Sequence, residues 1–284
     1  MDQQIADLLN LLELEQLEVN LFRGESRDIG SAQVFGGQVL GQALTAASAT
    51  ISGRVVHSLH AYFLRRGDFN APIVYQVDRS LEGRSFSNRR VTAIQHGEQI
   101  FNMTASFQVP EAGFDHQIPM PRVRPPEELS ESSHMTKEYI EGLPERQRRL
   151  ALQPRPFEFR LVPSTPQLPH VDTARQFWFR AVSALPDDER LHRCLLAYVS
   201  DFFLLDTARL PHDISQAKQG VLLASLDHAM WFHRTVRVDD WLLYAVESPS
   251  ASGARGFARA SVFARDGRLV ASTAQEGLVR KRGP

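Results

Sequence analysis

Tyr75-Gln76-Val77-Asp78 and Tyr244-Ala245-Val246-Glu247 lie 169 residues apart, and the chain keeps close to that spacing on both sides of them. Arg90-Val91-Thr92-Ala93 faces Arg259-Ala260-Ser261-Val262 at the same offset. His96-Gly97 faces Asp266-Gly267 at 170, as Phe101-Asn102-Met103-Thr104-Ala105 faces Ala271-Ser272-Thr273-Ala274-Gln275. Upstream, His60-Ala61 and Arg66 face His228-Ala229 and Arg234 at 168. Few of these pairs are identities, so the repeat rests on pattern and spacing. A repeat of this length constrains the whole fold, because each half must then build the same unit.

The elements run in the same order in each half. Gly37 to Ala49 carries Val39, Leu40, Ala43, Leu44 and Ala47 at helical spacings. Four strands follow, over 55–64, 72–81, 85–95 and 98–109, separated by turn signals at Arg66-Gly67-Asp68, Glu82-Gly83 and His96-Gly97. In the second half a helix is predicted over 187–208, then strands over 221–232, 241–248, 256–264 and 269–279, with Asp266-Gly267 as a hairpin turn. Helix plus antiparallel meander, performed twice, is the layout of sheets wrapped around helices, an α+β architecture; two unrelated α+β domains would not repeat.

Between the halves, Pro110 to Pro169 holds eleven of the sixteen prolines. Proline cannot donate to a β-ladder, so this stretch is expected to supply no central strand. It reads as a connection with a helix over Met135–Leu152. Ile5, Leu8, Leu9 and Leu12 mark a leading amphipathic helix over 3–18. The expected division is 1–110, 111–169 and 170–284.

Composition narrows the function. Hydrophobic residues make up 43% and charged residues 23%, with a net charge of −1. That is ordinary globular composition, with no basic field for nucleic acid. The one cysteine, Cys194, permits no internal disulfide and no thiolate cluster. No leading basic segment and no apolar run of membrane-spanning length are present, and the C-terminus is not a peroxisomal Ser-Lys-Leu type. A soluble cytoplasmic protein without membrane insertion is expected.

Familiar catalytic motifs are missing. Gly24-Glu25-Ser26-Arg27-Asp28 and Gly83-Arg84-Ser85-Phe86-Ser87 do not close a Gly-x-Ser-x-Gly elbow. Gly36-Gly37-Gln38-Val39-Leu40-Gly41 lacks the lysine of a phosphate loop. Its two glycines could present amides to an anion or carbonyl, or simply let a helix pack tightly. His57 and His60, and likewise His228 and His233, are spaced to opposite strand faces, so no metal site is expected. Hydrolysis, if present, must use a directly activated water and no cofactor.

Three polar residues sit where the pattern wants apolar ones. Asp201 lies in a helical stretch with Ala197, Tyr198, Leu204 and Leu205 at spacings of three and four. Burial there would raise its pKa and suit it to proton abstraction, although Asp also caps broken helices. Gln275 falls opposite Ala105, on a strand face that is apolar in the first copy; an offset of 169 would pair it with Ser106 instead. Ser225, in Leu223-Ala224-Ser225-Leu226-Asp227-His228, means little alone, and Asp227 and His228 are neighbours on opposite faces.

At these residues the chain resembles the bacterial acyl-CoA thioesterase II family over nearly its whole length. The strings that carry the resemblance include Gln33-Val34-Phe35-Gly36-Gly37-Gln38-Val39, His57-Ser58-Leu59-His60-Ala61-Tyr62-Phe63-Leu64 and Thr104-Ala105-Ser106-Phe107-Gln108. In the second half they include Tyr198-Val199-Ser200-Asp201, Leu226-Asp227-His228-Ala229-Met230-Trp231-Phe232-His233 and Ser272-Thr273-Ala274-Gln275-Glu276-Gly277. The resemblance implies a double hotdog, two helix-plus-sheet repeats sharing one continuous sheet. It implies an acyl-CoA substrate, a homo-oligomer (dimer or tetramer), and an Asp, a Thr and a Gln that hold the attacking water. The Asp matches Asp201, the Gln matches Gln275, and Ser225 stands where the family has Thr. Gly36 and Gly37 are the candidate substrate-binding residues. Two alternatives stay open: hydration or dehydration of acyl thioesters, which pairs an Asp with a His, and a non-catalytic acyl-CoA binding module.

Overall fold

The computed structural model describes residues 2–29, 33–130, 152–163, 173–212 and 221–281, together with Glu141, Glu145 and Arg148. The chain opens with helix α1 (Gln3–Leu12), capped by the Asp2 carboxylate on the Gln4 N–H. Strands β1 (Glu15–Glu18) and β2 (Leu21–Gly24) follow, then helix α2 (Gly36–Ala49). Strands β3 (Val55–Phe63), β4 (Ile73–Glu82), β5 (Phe86–Gln95) and β6 (Glu98–Gln108) complete the first half. The second half contains β7 (Phe157–Val162), β8 (Ala174–Ala181), α3 (Glu189–Ser200), α4 (Leu204–Thr207), β9 (Val221–Ser225) and β10 (Asp227–Phe232). It ends with β11 (Leu242–Ser252), β12 (Arg255–Ala264) and β13 (Leu269–Lys281). No described helix is long and apolar enough to cross a membrane.

All described strands join one sheet in the order β1-β2-β4-β5-β6-β3-β10-β13-β12-β11-β8-β7, with β9 also paired to β13. The order within β2-β4-β5-β6-β3 is mirrored in β8-β11-β12-β13-β10, and the equivalent strands β3 and β10 pair antiparallel at the centre. The two repeats therefore share one continuous sheet, a double hotdog of the α+β class, as the sequence predicts.

Four strands escaped the sequence reading. The leading helix stops at Leu12, and Glu15–Glu18 forms a fully exposed strand without apolar alternation. Phe157–Val162 shows that the proline-rich connection does contribute a strand, but at the outer edge of the sheet, where flanking Pro156 and Pro163 are tolerated. β2 and β8 extend each repeat to include a strand before its helix. The helix expected over Met135–Leu152 lies almost wholly outside the described residues.

The registers correct one repeat offset. Leu64 and Arg65 N–H both donate to the Ile100 carbonyl, and His233 and Arg234 N–H both donate to that of Val270. The Arg65 and Arg234 guanidinium groups then bond the carbonyls of Gln99 and Leu269. Arg234 thus corresponds to Arg65 rather than Arg66, and the offset in β3 and β10 is 169, not 168. One residue of slip exchanges the faces of a strand. His60 is exposed, whereas His228, whose counterpart is Leu59, is fully buried. The burial alternation of β6 and β13 does follow the 170 offset, so Gln275 shares the inner face with Ala105, both 0% exposed.

Inside the curved sheet, α2 packs on α3 along glycines. A Cβ on Gly37 would lie 2.2 Å from the Tyr198 carbonyl, and one on Gly41 would lie 3.3 Å from the Cys194 carbonyl. Each helix is also tied to its sheet by an equivalent buried tyrosine. Tyr75 donates to Gln42 Oε1 at 2.7 Å, and Tyr244 donates to the Ser200 carbonyl at 2.8 Å.

Candidate active site

Helix α3 does not run unbroken over 187–208. It ends at Ser200, with Asp201 as its C-cap and α4 beginning three residues later. Phe203 adopts a left-handed conformation with φ of 64°, costly for a bulky residue. It is held there by edge-to-face contacts with Phe159 and Phe177 at 5.1 and 4.9 Å. Asp201 stands at the helix break as the C-cap through its backbone N–H, and its carboxylate turns into the interior rather than capping a helix. Its side chain is only 7% exposed.

The surroundings of Asp201 come from three other elements. Gln275 Nε2, from the inner face of β13, donates to Oδ1 at 2.8 Å. The Gly37 N–H at the start of α2 donates to the same carboxylate. A Cβ on Gly36 would stand 2.7 Å from Oδ2, so a larger residue there would have to displace the carboxylate. His228, from β10, brings Nδ1 to 4.0 Å from Oδ1. Its Nε2 lies 3.0 Å from Ser200 Oγ.

Burial dominates the electrostatics. It raises the Asp201 pKa, against the lowering effect of the Gln275 and Gly37 donors. It depresses that of His228 to about 3, so the ring is neutral near pH 7. Among the described residues, Gln275 Oε1 is buried with no partner, as is His228 Nδ1. The Gln275 oxygen is an acceptor beside the carboxylate that a hydrogen-donating group would satisfy.

Ser225 arrives by a different route. The strand expected over 221–232 breaks at Leu226, whose carbonyl accepts from Phe63 N–H while its own N–H bonds Glu276. The Asp227 carboxylate takes the Glu276 N–H at 2.7 Å, replacing a ladder bond. On the far side of this break Ser225 pairs with Gly277, two residues beyond Gln275. It lines a cavity of about 270 Å³ whose walls include Gly36, Val39, Phe63 and Phe101. Asp201 and Gln275 are directly bonded. Ser225 approaches from the cavity, and no hydrogen bond joins it to either among the described residues. Gly36 is part of the wall, whereas the Gly37 amide is occupied by Asp201.

His228 was missed. His192, nine residues before Asp201 in the chain, lies elsewhere on α3 with its Nδ1 accepting from Val238 N–H. The signal was available in the repeat: at the offset of 169, a histidine replaces the inward Leu59. Among the described residues, no group of three or more His, Cys, Asp and Glu side chains converges to hold a metal ion.

Comparison with known proteins agrees with this architecture. Residues 151–278 match the acyl-CoA thioesterase family, and residues 23–108 match the acyl-CoA thioesterase N-terminal domain. The chain is 44% identical to acyl-CoA thioesterase 2 of Haemophilus influenzae over 99% of both chains. It is 42% identical to human acyl-coenzyme A thioesterase 8, covering 95% of this chain and 88% of that one. A crystal structure of an acyl-CoA thioesterase II from Mycobacterium marinum superposes with a TM-score of 0.81 at 42% identity, covering 98% of each chain. The chain belongs to the acyl-CoA thioesterase II family.

Proposed function

We propose that this chain hydrolyses acyl-CoA thioesters to free acid and CoA by direct attack of a water that Asp201 deprotonates. The observation that carries the reading is a buried carboxylate fixed by the Gln275 amide, its Oδ2 lying against Gly36, which walls a largely apolar cavity. Desolvation makes that carboxylate a stronger base than a surface aspartate. The free Gln275 Oε1 offers an acceptor for the second hydrogen of the water, and the Ser225 hydroxyl supplies a further contact from the cavity side. Hydroxide adds to the thioester carbon, the carbon–sulfur bond breaks, and the proton held by Asp201 passes to the departing sulfur. Gly36 contributes cavity wall in this scheme.

A second reading, hydration of an enoyl thioester, draws on the Asp201–His228 proximity of 4.0 Å. Against it, His228 is fully buried and its Nε2 is committed to Ser200. One panel separates the readings: saturated and 2-enoyl CoA thioesters of graded length, followed by free-CoA release and by loss of the enoyl absorbance. CoA release from saturated substrates is expected. Loss of enoyl absorbance without CoA release would favour hydration, and binding without either signal would leave a binding module.

A further inference from the structure

His228 occupies an inward position that holds leucine in the first half, and among the described residues only one of its two nitrogens has a partner. The Ser200 hydroxyl has a single hydrogen and two acceptors in reach, the Ala197 carbonyl at 2.9 Å and His228 Nε2 at 3.0 Å. Donation to Ala197 makes the hydroxyl an acceptor toward the ring, which places the ring hydrogen on Nε2 and leaves Nδ1 bare; this is the tautomer on which the proposal stands. The Nδ1 lone pair, buried and without a partner, lies 4.0 Å from Asp201 Oδ1.

We propose, resting on the hydrolytic reading above, that His228 is a positioning residue for the reaction: its Ser200-locked tautomer holds a lone pair against Asp201, favouring the carboxyl that has taken the water proton over the bare carboxylate. The repulsion is present before proton abstraction and relieved after it, so it acts on the step rather than on substrate binding. The proton moves from water to Asp201 and then to the CoA sulfur, and His228 exchanges none. The other groups around the carboxylate do not confuse this. Gln275 of β13 and Gly37 of α2 are uncharged donors. Tyr198 of α3 and Tyr244 of β11 feel the Asp201 charge but stay neutral, because burial pushes Tyr198 up to about 12 and Tyr244 well above its ordinary value.

Two variants test it by placing a donor where the lone pair is. In His228→Asn the amide is free to turn its NH2 toward Asp201. In Ser200→Ala the ring loses its Nε2 acceptor and can move its hydrogen to Nδ1. The measurement is kcat against pH with an acyl-CoA that the wild type hydrolyses, alongside circular dichroism. Each folded variant is expected to lose about tenfold in plateau kcat, with the acid limb displaced by about one unit to lower pH and KM unchanged. The profiles then converge in acid, whereas a merely structural loss would lower kcat by one factor at every pH. An unmoved acid limb in the folded variants overturns the role of His228 while hydrolysis itself stands; if His228→Asn does not fold, Ser200→Ala decides. A wild type that releases CoA from no acyl-CoA overturns the hydrolytic reading and this one with it.

Discussion

Asp201 joins opposed demands in one side chain. A buried carboxylate is a good base and a poor contributor to stability, so the two properties should separate in Asp201→Asn. Turnover is expected to fall by about 10²–10⁴-fold, the scale of general-base catalysis. Stability should move the other way. Because the folded pKa of Asp201 is raised, its favourable contribution is complete in acid, below the unfolded carboxylate value, and is lost as pH rises through the folded value. Asp201→Asn should therefore be more stable than wild type near pH 7 by on the order of 1 kcal/mol, with the gain vanishing in acid; urea melts across pH check this. At Ser225 the hydroxyl is the tested feature. Ser225→Thr should keep or raise kcat, since it retains the hydroxyl and stiffens its rotamer. Ser225→Ala should cost roughly 1–3 kcal/mol of barrier. Equal kcat for Ala and Ser would remove the hydroxyl from the mechanism.

At the scale of elements, the site depends on two helix ends meeting. The start of α2 supplies Gly36 and Gly37, and the end of α3 supplies Asp201. A methyl on Gly37 would meet the Tyr198 carbonyl at 2.2 Å and the Phe35 ring at 2.5 Å, with backbone on one side unable to yield. Gly37→Ala is expected to cost about 1–3 kcal/mol of stability, as overpacking does, and to lower kcat by moving the N–H away from Asp201. A variant with wild-type melting temperature and kcat would show that the helices have slack there. The elements also show what a sequence can and cannot disclose. The helix over 37–49 and the meander strands were legible because their apolar periodicity and Gly-containing turns agree. The break at 201–203 was not, because Phe202, Phe203, Leu204 and Leu205 read as helix interior, and the interruption comes from aromatic packing around Phe203. β1 was illegible because an edge strand needs no burial on either face, and β7, which buries Phe157 and Phe159, was hidden by the prolines on both sides of it. Asp201 and Gln275 were legible as polar residues in apolar places, while His228 was hidden by a one-residue error in the repeat.

Across the whole molecule, duplication and specialisation are both visible. In the first half Ala105 pairs with Arg89, whose buried guanidinium bonds Thr50 Oγ1 at 2.7 Å, at the C-cap of α2. In the second half the counterpart of Arg89 is Ala258, and Gln275 opposite it bonds Asp201 at the C-cap of α3. The first half thus places a cation and a hydroxyl where the second places an amide and a base, and α2 contains no acidic residue. Calorimetric titration with a non-hydrolysable acyl-CoA analogue should therefore saturate near one per chain; two equivalent sites would contradict this asymmetry. The central claim, that water and not a protein group attacks the thioester, is tested most directly in ¹⁸O-labelled water with enzyme in excess over acyl-CoA, so that each site turns over once. Direct attack predicts free acid that carries solvent ¹⁸O and an Asp201 peptide that carries none. Unlabelled acid with ¹⁸O incorporated into Asp201 would mean that the carboxylate itself attacked, and would contradict the account.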